Sequence, residues 1–304
     1  MKTEKNMTPD GALSEKQHGE MIKKERRSND ALHKFCRNKT AVAGFIVVLI
    51  MVILAVFSPM IATHDPNALS LSNACLKPGE AGHIFGTDEL GRDLFSRIVY
   101  GSRVSMLVAF GGTLVGGVIG CILGMIAGYN GGILDSVIMR IMDGMFAFPF
   151  ILLSIFLMTI FGSGLPNVIL AIGIANVPKF ARVVRGQVAI LKTEEYCNVE
   201  RVLGASGFRI LVHHILPNAV SPIIVYATLN IASAILAESA LGFLGLGILP
   251  PTPSWGNILR AGKEYLNTAP HIATISGSFI MITVLAFNLF GDGVRDVLDP
   301  KMKK

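Results

Sequence analysis

AVAGFIVVLIMVILAVFSPMIA, residues 41–62, is a run of 22 residues without a charged side chain. A helix rises about 1.5 Å per residue, so this run is long enough to cross the roughly 30 Å hydrocarbon core of a bilayer. Further apolar runs follow along the chain, and their spacing predicts six membrane-spanning helices. Their approximate bounds are 41–62, 104–128, 136–161, 165–182, 219–247 and 272–290. The sequence therefore predicts an all-α integral membrane protein.

The composition is that of a membrane protein. Of the 304 residues, 51% are hydrophobic and only 16% are charged. A soluble domain of this composition would expose large apolar patches, whereas a bilayer solvates such surface. The net charge of +6 would suggest nucleic-acid binding only if the basic residues shared one soluble face. They lie instead between the apolar runs, so no nucleic-acid partner is expected.

The basic residues also predict the orientation in the membrane. Six spans place the N-terminal tail (1–39), the polar segment 179–217 and the C-terminus on the same side. That side holds twenty Lys and Arg residues, and the opposite side holds six. Because basic residues are enriched on the cytoplasmic side of membrane proteins, both termini are expected in the cytoplasm. Residues 40–304 then form one transmembrane domain after a cytoplasmic tail.

The second span carries a glycine at every fourth position. Such residues lie nearly above one another on a helix, and they leave a smooth groove that a neighbouring helix can approach. Glycine is costly inside a helix, so its regular use favours close packing over ordinary glycine richness. We therefore predict a helix-packing stripe of Gly112, Gly116, Gly120, Gly124 and Gly128.

Charged residues also fall within the predicted spans. Glu238 lies inside span five, where a carboxylate is expensive enough to indicate a functional residue. A structural role, such as hydrogen bonding to a neighbouring helix, is the alternative. Arg140 and Asp143, near the start of span three, are three residues apart and are expected to pair on one helix face.

The polar segment before span five is unusual for a linker. It predicts a short helix, a break at Gly204 and a second helix through FRILVHHIL (208–216), which ends before Pro217. A helix–glycine–helix unit on the cytoplasmic face is suited to docking on a soluble partner. An amphipathic hairpin that lies in the membrane interface without a partner is the alternative.

Catalytic and metal-binding motifs are missing from the sequence. It contains no Walker A, HExxH or GxSxG motif, and the adjacent His213 and His214 lack ligand spacing. The four cysteines form no CxxC pair. The chain is therefore expected to be non-enzymatic and to bind no metal or cofactor.

The loop 183–217 resembles the cytoplasmic loop of the permease subunits of bacterial ABC importers. That loop carries Glu-Ala-Ala, three residues, glycine, and nine or ten residues to Ile-x-Leu-Pro or a close variant. YCNVERVLGASGFRILVHHILPN (196–218) aligns with Gly204 on the motif glycine and Pro217 at its end. The Glu-Ala-Ala triplet itself is replaced by Asn198, Val199 and Glu200.

Three further blocks narrow this resemblance. They look like the second (C-type) permease subunit of the dipeptide, oligopeptide and nickel importer family, and the similarity runs from about residue 40 to the end. The blocks are HIFGTDELGRDLFSRIVYGSR (83–103), ALGFLGLGILPPTPSWG (240–256) and VLAFNLFGDGVRDVLDP (284–300). The resemblance implies the type I importer permease fold in the bacterial cell (inner) membrane.

The resemblance also implies partners and site residues. A complete importer would add a homologous second permease, two ATPase subunits that use ATP and Mg²⁺, and an external substrate-binding protein. The outer segments 83–103 and 248–270 would meet the binding protein or gate the path, and Glu238 is a candidate for the translocation path. Coupling to the ATPase would belong to about residues 194–210, with contacts from Glu195, Asn198, Val199, Glu200, Arg201, Gly204 and Ala205.

Several alternatives stay open at this point. Within the family, peptides are the first choice of substrate, with nickel or nickel chelates and glutathione-like molecules as alternatives. An ATP-independent secondary transporter would require paired intramembrane charges and broken helices around a midplane site. A membrane scaffold without transport activity is a third class.

Overall fold

The computed structural model describes residues 35–298, which form helices joined by turns and one isolated β-bridge between Thr87 and Asp93. The predicted tail lies almost wholly outside the described residues, as do the last six residues. A π-helical turn, Leu211–Ile215, joins the helix Gly207–Ile210 to the helix Leu216–Phe243. The α-helices are α1 (Lys39–Val56), α2 (Ser58–Ile61), α3 (Leu94–Asn130), α4 (Gly132–Phe146), α5 (Phe150–Phe161), α6 (Leu165–Leu191), α7 (Glu195–Val202), α8 (Gly207–Ile210), α9 (Leu216–Phe243), α10 (Trp255–Glu264) and α11 (Pro270–Leu298).

Five helical segments are long and apolar enough to cross a bilayer: α1, α3, α6, the run from α8 through α9, and α11. The bent pair α4–α5 makes a sixth crossing if it forms one span. The expected all-helical membrane architecture is therefore confirmed, with five or six crossings.

The third predicted span, 136–161, is not one continuous helix. Helices α4 and α5 meet at an angle of 92° across residues 147–149. Pro149 has no N–H to donate, and it disfavours helical geometry at the residue before it. Helix α4 consequently ends at Phe146, and α5 begins at Phe150.

Other helix ends differ from the predicted bounds for local reasons. Helix α3 starts at Leu94 rather than 104 because the Asp93 carboxylate accepts a hydrogen bond from the Ser96 N–H at 2.8 Å and caps the helix. Helix α6 continues beyond 182, through Pro178, to Leu191. Part of the predicted loop 183–217 is therefore helical, and the connecting segment is shorter than expected.

Span five also ends earlier than its predicted limit at residue 247. Helix α9 stops at Phe243, and the backbone reverses at Gly245, which has a φ of +79°. Glycine adopts this left-handed conformation without the steric penalty that a Cβ would add. The residues after it lead into α10.

The glycine stripe of α3 lies against α6. A Cβ added at Gly116, Gly120, Gly124 or Gly128 would come within 2.5–2.8 Å of an α6 atom. Gly112 is less tight, since its Cβ would lie 3.1 Å from the Ile172 side chain. The approaching α6 carbonyl oxygens belong to Gly173, Val177, Ala181 and Arg185, which are themselves four residues apart. The two backbones are thus in direct contact along about four helical turns.

Ion pairs fix α4 onto α6. The Arg185 guanidinium donates to both Asp135 carboxylate oxygens, each at 2.6 Å. Asp143 accepts from Arg182 at 2.9 Å, so the expected pairing with Arg140 is replaced by a pairing between helices. Sequence spacing shows only the neighbour on the same helix, whereas the fold brings a partner from α6.

At the opposite end of the bundle, Trp255 anchors α10. Its side chain is fully buried, and its indole N–H donates to the Ile98 carbonyl of α3 at 3.0 Å. Its own carbonyl accepts from Ser276 of α11 at 2.7 Å. The short helix α10 is therefore held between two long helices.

Candidate functional site

The segment between α6 and α9 forms a helical hairpin, residues 194–215, built on one end of the bundle. Helix α7 ends in a Schellman motif: the Ala205 N–H donates to the Glu200 carbonyl at 3.0 Å, and the Gly204 N–H donates to the Arg201 carbonyl at 3.2 Å. Gly204 has a φ of +83°, the left-handed conformation that this motif requires. Ser206 then caps α8 by accepting from the Arg209 N–H. The turn chemistry therefore sets the geometry of the hairpin.

The inner side of the hairpin is anchored on α3 and α6. Cys197 is fully buried and belongs to an apolar cluster with Val184 and Val188 of α6 and Ile210 and Ile215 of the hairpin. Burial raises the pKa of the Cys197 thiol, which keeps it neutral. The residue thus acts as a small apolar side chain that fixes α7 to the transmembrane helices.

A second anchor lies between the hairpin and the end of α3. A Cβ added at Gly207 would come within 2.9 Å of the Tyr129 ring, so the backbone packs directly on that aromatic side chain. Lys192, which follows α6, donates to the Tyr129 carbonyl at 2.8 Å. A displacement of the hairpin would therefore also move α3 and α6.

The side of the hairpin that faces away from the transmembrane helices carries exposed apolar side chains. Val202, Leu203 and Phe208 are 88%, 75% and 76% exposed, and Val199 is exposed beside them. Large contiguous apolar surface on a protein marks a contact with another protein or with lipid. We call Val199, Val202, Leu203 and Phe208 the hairpin tip.

The structure distributes the seven predicted contact residues over this hairpin. Glu195, Asn198, Val199, Arg201 and Gly204 are exposed, whereas Glu200 and Ala205 are half-buried. Arg201 donates to the Asn198 side chain at 3.2 Å. Glu200 turns back onto the hairpin, where its carboxylate lies 3.6 Å from His214 Nε2. The replaced triplet therefore presents two exposed residues and one that faces the hairpin itself.

The most exposed part of this surface lies within the predicted coupling range 194–210 but is not singled out by sequence reasoning. Val202, Leu203 and Phe208 are absent from the predicted contact residues because the family motif draws attention to the triplet and its glycine. The spacing of Val199, Val202 and Leu203, at i, i+3 and i+4, places them on one helix face and could have revealed the tip.

Glu238 is fully buried between α9 and α3. Its Oε2 accepts from the Ser105 hydroxyl at 2.8 Å, and the Ser239 hydroxyl lies 3.5 Å away. In this conformation the carboxyl group contacts protein rather than an open cavity. A chain of buried polar side chains, Thr113, Asn230 and Asn176, likewise joins α3, α9 and α6 at 3.1–3.2 Å. Buried hydrogen bonds of this kind hold membrane helices in register.

Residues 62–93, between α2 and α3, are organised around charged side chains; we call them the outer segment, after the side of the membrane on which the sequence predicts them. Arg92 and Arg97 both contact the Asp88 carboxylate, at 2.7 and 3.2 Å. Burial alone would raise the pKa of Asp93, but hydrogen bonds from Ser96 and His83 outweigh it and hold that pKa below its ordinary value. The segment is therefore a fixed structure and not a loose loop.

Two family models match the chain. Residues 120–304 match the binding-protein-dependent transport system inner membrane component, and residues 27–78 match the N-terminal transmembrane domain of oligopeptide transport permease C. The first match includes most of the transmembrane helices and the whole hairpin.

Three curated relatives match nearly the whole length of the chain. The dipeptide transport system permease protein DppC of Alkalihalophilus pseudofirmus is 44% identical, over 90% of this chain and 90% of the relative. The di/tripeptide transport system permease protein DppC of Pseudomonas aeruginosa is 40% identical, over 88% and 90%. The glutathione transport system permease protein GsiD of Pectobacterium atrosepticum is 43% identical, over 89% and 90%.

A solved structure supports the fold. The inward-facing MetNI methionine ABC transporter contains a chain with a TM-score of 0.55 and 22% identity, and the match covers 67% of this chain and 97% of that chain. With the family match over more than half of the chain, these findings agree. The chain belongs to the family of binding-protein-dependent transport system inner membrane components, the permease subunits of bacterial ABC importers, and is a multi-pass protein of the bacterial inner membrane.

Proposed function

We propose that this chain forms half of the translocation path of an ATP-driven importer for dipeptides and related short peptides. The observation that carries the substrate class is similarity of 40–44% identity, over nearly nine-tenths of the chain, to permeases named for dipeptides, di- and tripeptides, and glutathione. Glutathione is itself a tripeptide, so these names share one chemistry: short chains of amino acids joined by amide bonds. Dipeptides are therefore preferred, with glutathione as the first alternative and nickel or a nickel chelate as the second.

The hairpin is proposed to be the coupling element of the importer. Its tip offers an apolar surface that fits into a cleft of an ATPase subunit. In that cleft Val202, Leu203 and Phe208 would be buried. Its inner side is attached to α3 and α6 through Cys197 and Gly207. ATP binding would favour one arrangement of the ATPase pair, and this attachment would bias the permease between inward-open and outward-open states.

The proposal also assigns the remaining subunits and the orientation. A homologous permease would complete the path, two ATPase subunits would use ATP and Mg²⁺, and an external binding protein would deliver substrate to the outer side. This chain would itself be non-catalytic and would carry no cofactor. Both termini would be cytoplasmic, because docking requires the hairpin to lie on the ATPase side of the membrane.

The substrate class is tested by uptake in a strain that lacks this subunit. We expect accumulation of a labelled dipeptide to fall to the background rate and to recover when the full chain is supplied. Labelled glutathione and ⁶³Ni²⁺ are measured in parallel in the same cells. A defect confined to glutathione or to nickel would replace the proposed substrate, and unchanged uptake of all three would remove the importer assignment for this chain.

The docking surface and the orientation are tested together by labelling Val202→Cys with a membrane-impermeant maleimide. Cys36 and Cys75 are replaced by serine to lower the background. We expect labelling from the cytoplasmic side only, and at least tenfold slower labelling when the ATPase subunits are bound, because the tip is then covered. Leu71→Cys, an exposed residue of the outer segment, is the control and should react only from outside. Reaction of Val202→Cys from outside, or no protection by the ATPases, would contradict the assignment.

A further inference from the structure

Two histidines and an aspartate converge in the outer segment. Their ligand atoms all lie within 4.8 Å of one another. His83 Nδ1 lies 2.8 Å from Asp93 Oδ1, and His64 Nδ1 lies 3.7 Å from the same oxygen. The two imidazole rings are neighbours, with centroids 4.7 Å apart. Three groups able to ligate a metal therefore face a single point.

The surrounding residues hold these groups in place. The second oxygen of Asp93 accepts from the Ser96 N–H at 2.8 Å and lies 3.4 Å from the Thr63 hydroxyl, which leaves Oδ1 directed at the histidines. The same hydroxyl lies 3.0 Å from His64 Nδ1, and a metal at this nitrogen would replace that contact. The backbone N–H of His64 donates to the Ser96 hydroxyl at 3.0 Å, which fixes this part of the backbone beside α3. Orientation of ligands by outer hydrogen bonds is typical of metal sites in proteins.

Access to the cluster is from one side. The side chain of Asp93 is 1% exposed and that of His83 is 11% exposed, whereas that of His64 is 43% exposed. The buried pair is joined by the hydrogen bond between His83 Nδ1 and Asp93 Oδ1, which a cation would replace, and His64 is the most exposed of the three. The site lies outside the membrane-spanning helices and far along the chain from the hairpin.

We propose that His64, His83 and Asp93 form a binding site for a divalent first-row transition metal cation, with Zn²⁺ as the reference ion. Imidazole nitrogens favour Zn²⁺, Ni²⁺ and Cu²⁺, whereas Mg²⁺ and Ca²⁺ prefer sites made of oxygen ligands. Ligands about 2.0–2.1 Å from zinc stand about 3.4 Å apart in a tetrahedral arrangement, so side-chain shifts of about an ångström close the site. Three protein ligands leave the fourth position to water.

The cation would connect three separate parts of the outer segment. His64 follows α2, His83 lies in the middle of the segment, and Asp93 caps α3. Sequence reasoning found no metal site because these residues are 19 and 10 positions apart, far from any short ligand motif. A metal that binds only the folded segment stabilises it by mass action. The proposal is independent of the cargo of the importer.

The site is tested by calorimetric titration of the purified full-length chain, in detergent and without a histidine tag, with Zn²⁺ and separately with Mg²⁺. We expect saturable binding of Zn²⁺ to a site that Mg²⁺ does not fill, and a rise in the melting temperature with Zn²⁺. His64→Ala removes the most exposed ligand and should weaken this binding at least tenfold. Asp93→Asn should weaken it similarly, while the asparagine still caps α3.

Two control variants separate this site from other ligands. His213→Ala removes an exposed histidine of the hairpin, and Cys75→Ala removes the thiol of the outer segment. Both should bind Zn²⁺ like the parent chain. Equal Zn²⁺ affinity in the parent, His64→Ala and Asp93→Asn proteins would overturn the proposal and leave the cluster as a hydrogen-bonded cap of α3. Melting curves without metal confirm that each variant is folded.

Discussion

Gly124→Ala is expected to destabilise the protein, although alanine is the better helix former. The added Cβ would lie 2.5 Å from the Ala181 carbonyl oxygen and 2.9 Å from the Val184 Cβ, so α3 and α6 must separate. Overpacking of this kind costs about 1–3 kcal/mol, and contact with backbone atoms allows little relief. In a domain of this size we expect the melting temperature to fall by about 2–12 °C, measured by differential scanning fluorimetry in detergent.

Gly117→Ala is the matched control for this substitution. Gly117 lies on the same helix, outside the stripe, and its Cβ would meet the Phe180 ring at 3.6 Å, an ordinary contact distance. Alanine should therefore be neutral there or should stabilise the helix by up to about 1 kcal/mol. Equal melting temperatures for the two variants would show that the close contact between the glycine stripe and α6 does not contribute to stability.

The amino-acid sequence predicted the helices wherever the signal was local. The charge-free run 41–62 contains all of α1 except its first two residues, and the period of four in the glycines placed a packing face on α3 before the partner helix was known. Pro149 is an equally local signal for the break between α4 and α5. The residues on both sides of it are apolar, however, and they favoured one continuous span. Pro178 shows that proline alone does not decide a helix end, because α6 continues through it to Leu191 with the support of its neighbours in the bundle.

The candidate site was predictable only in part, for the same reason. Gly204 identified the hairpin, since a left-handed cap has a recognisable residue type. The anchoring of the hairpin by Cys197 depends on the positions of Val184 and Val188, which belong to another helix. The convergence of His64, His83 and Asp93 depends on the path of the whole outer segment. Contacts between distant parts of a chain leave no short pattern in one sequence.

Gly204→Val is expected to reduce transport at least tenfold while leaving the chain inserted in the membrane. A Cβ at this position would meet no atom within 4 Å, so the cost comes from the backbone alone. Left-handed geometry costs an L-residue roughly 1–2 kcal/mol, and a β-branched residue is a stronger outlier. Loss of the Schellman hydrogen bonds from Gly204 and Ala205 would then unwind the end of α7 and displace the tip. Dipeptide uptake in cells and substrate-stimulated ATPase activity of the reconstituted complex are the measurements.

Gly204→Asn separates backbone geometry from side-chain bulk. Asparagine tolerates the left-handed conformation better than other non-glycine residues, and open space at this position accommodates its side chain. We expect this variant to keep most of the uptake that Gly204→Val loses, at equal levels of membrane-inserted protein. If both variants lose uptake equally, the tip requires the absence of any side chain at 204, and close approach of the ATPase becomes the explanation. If both retain it, the hairpin does not transmit the ATP-driven change, and the coupling role fails.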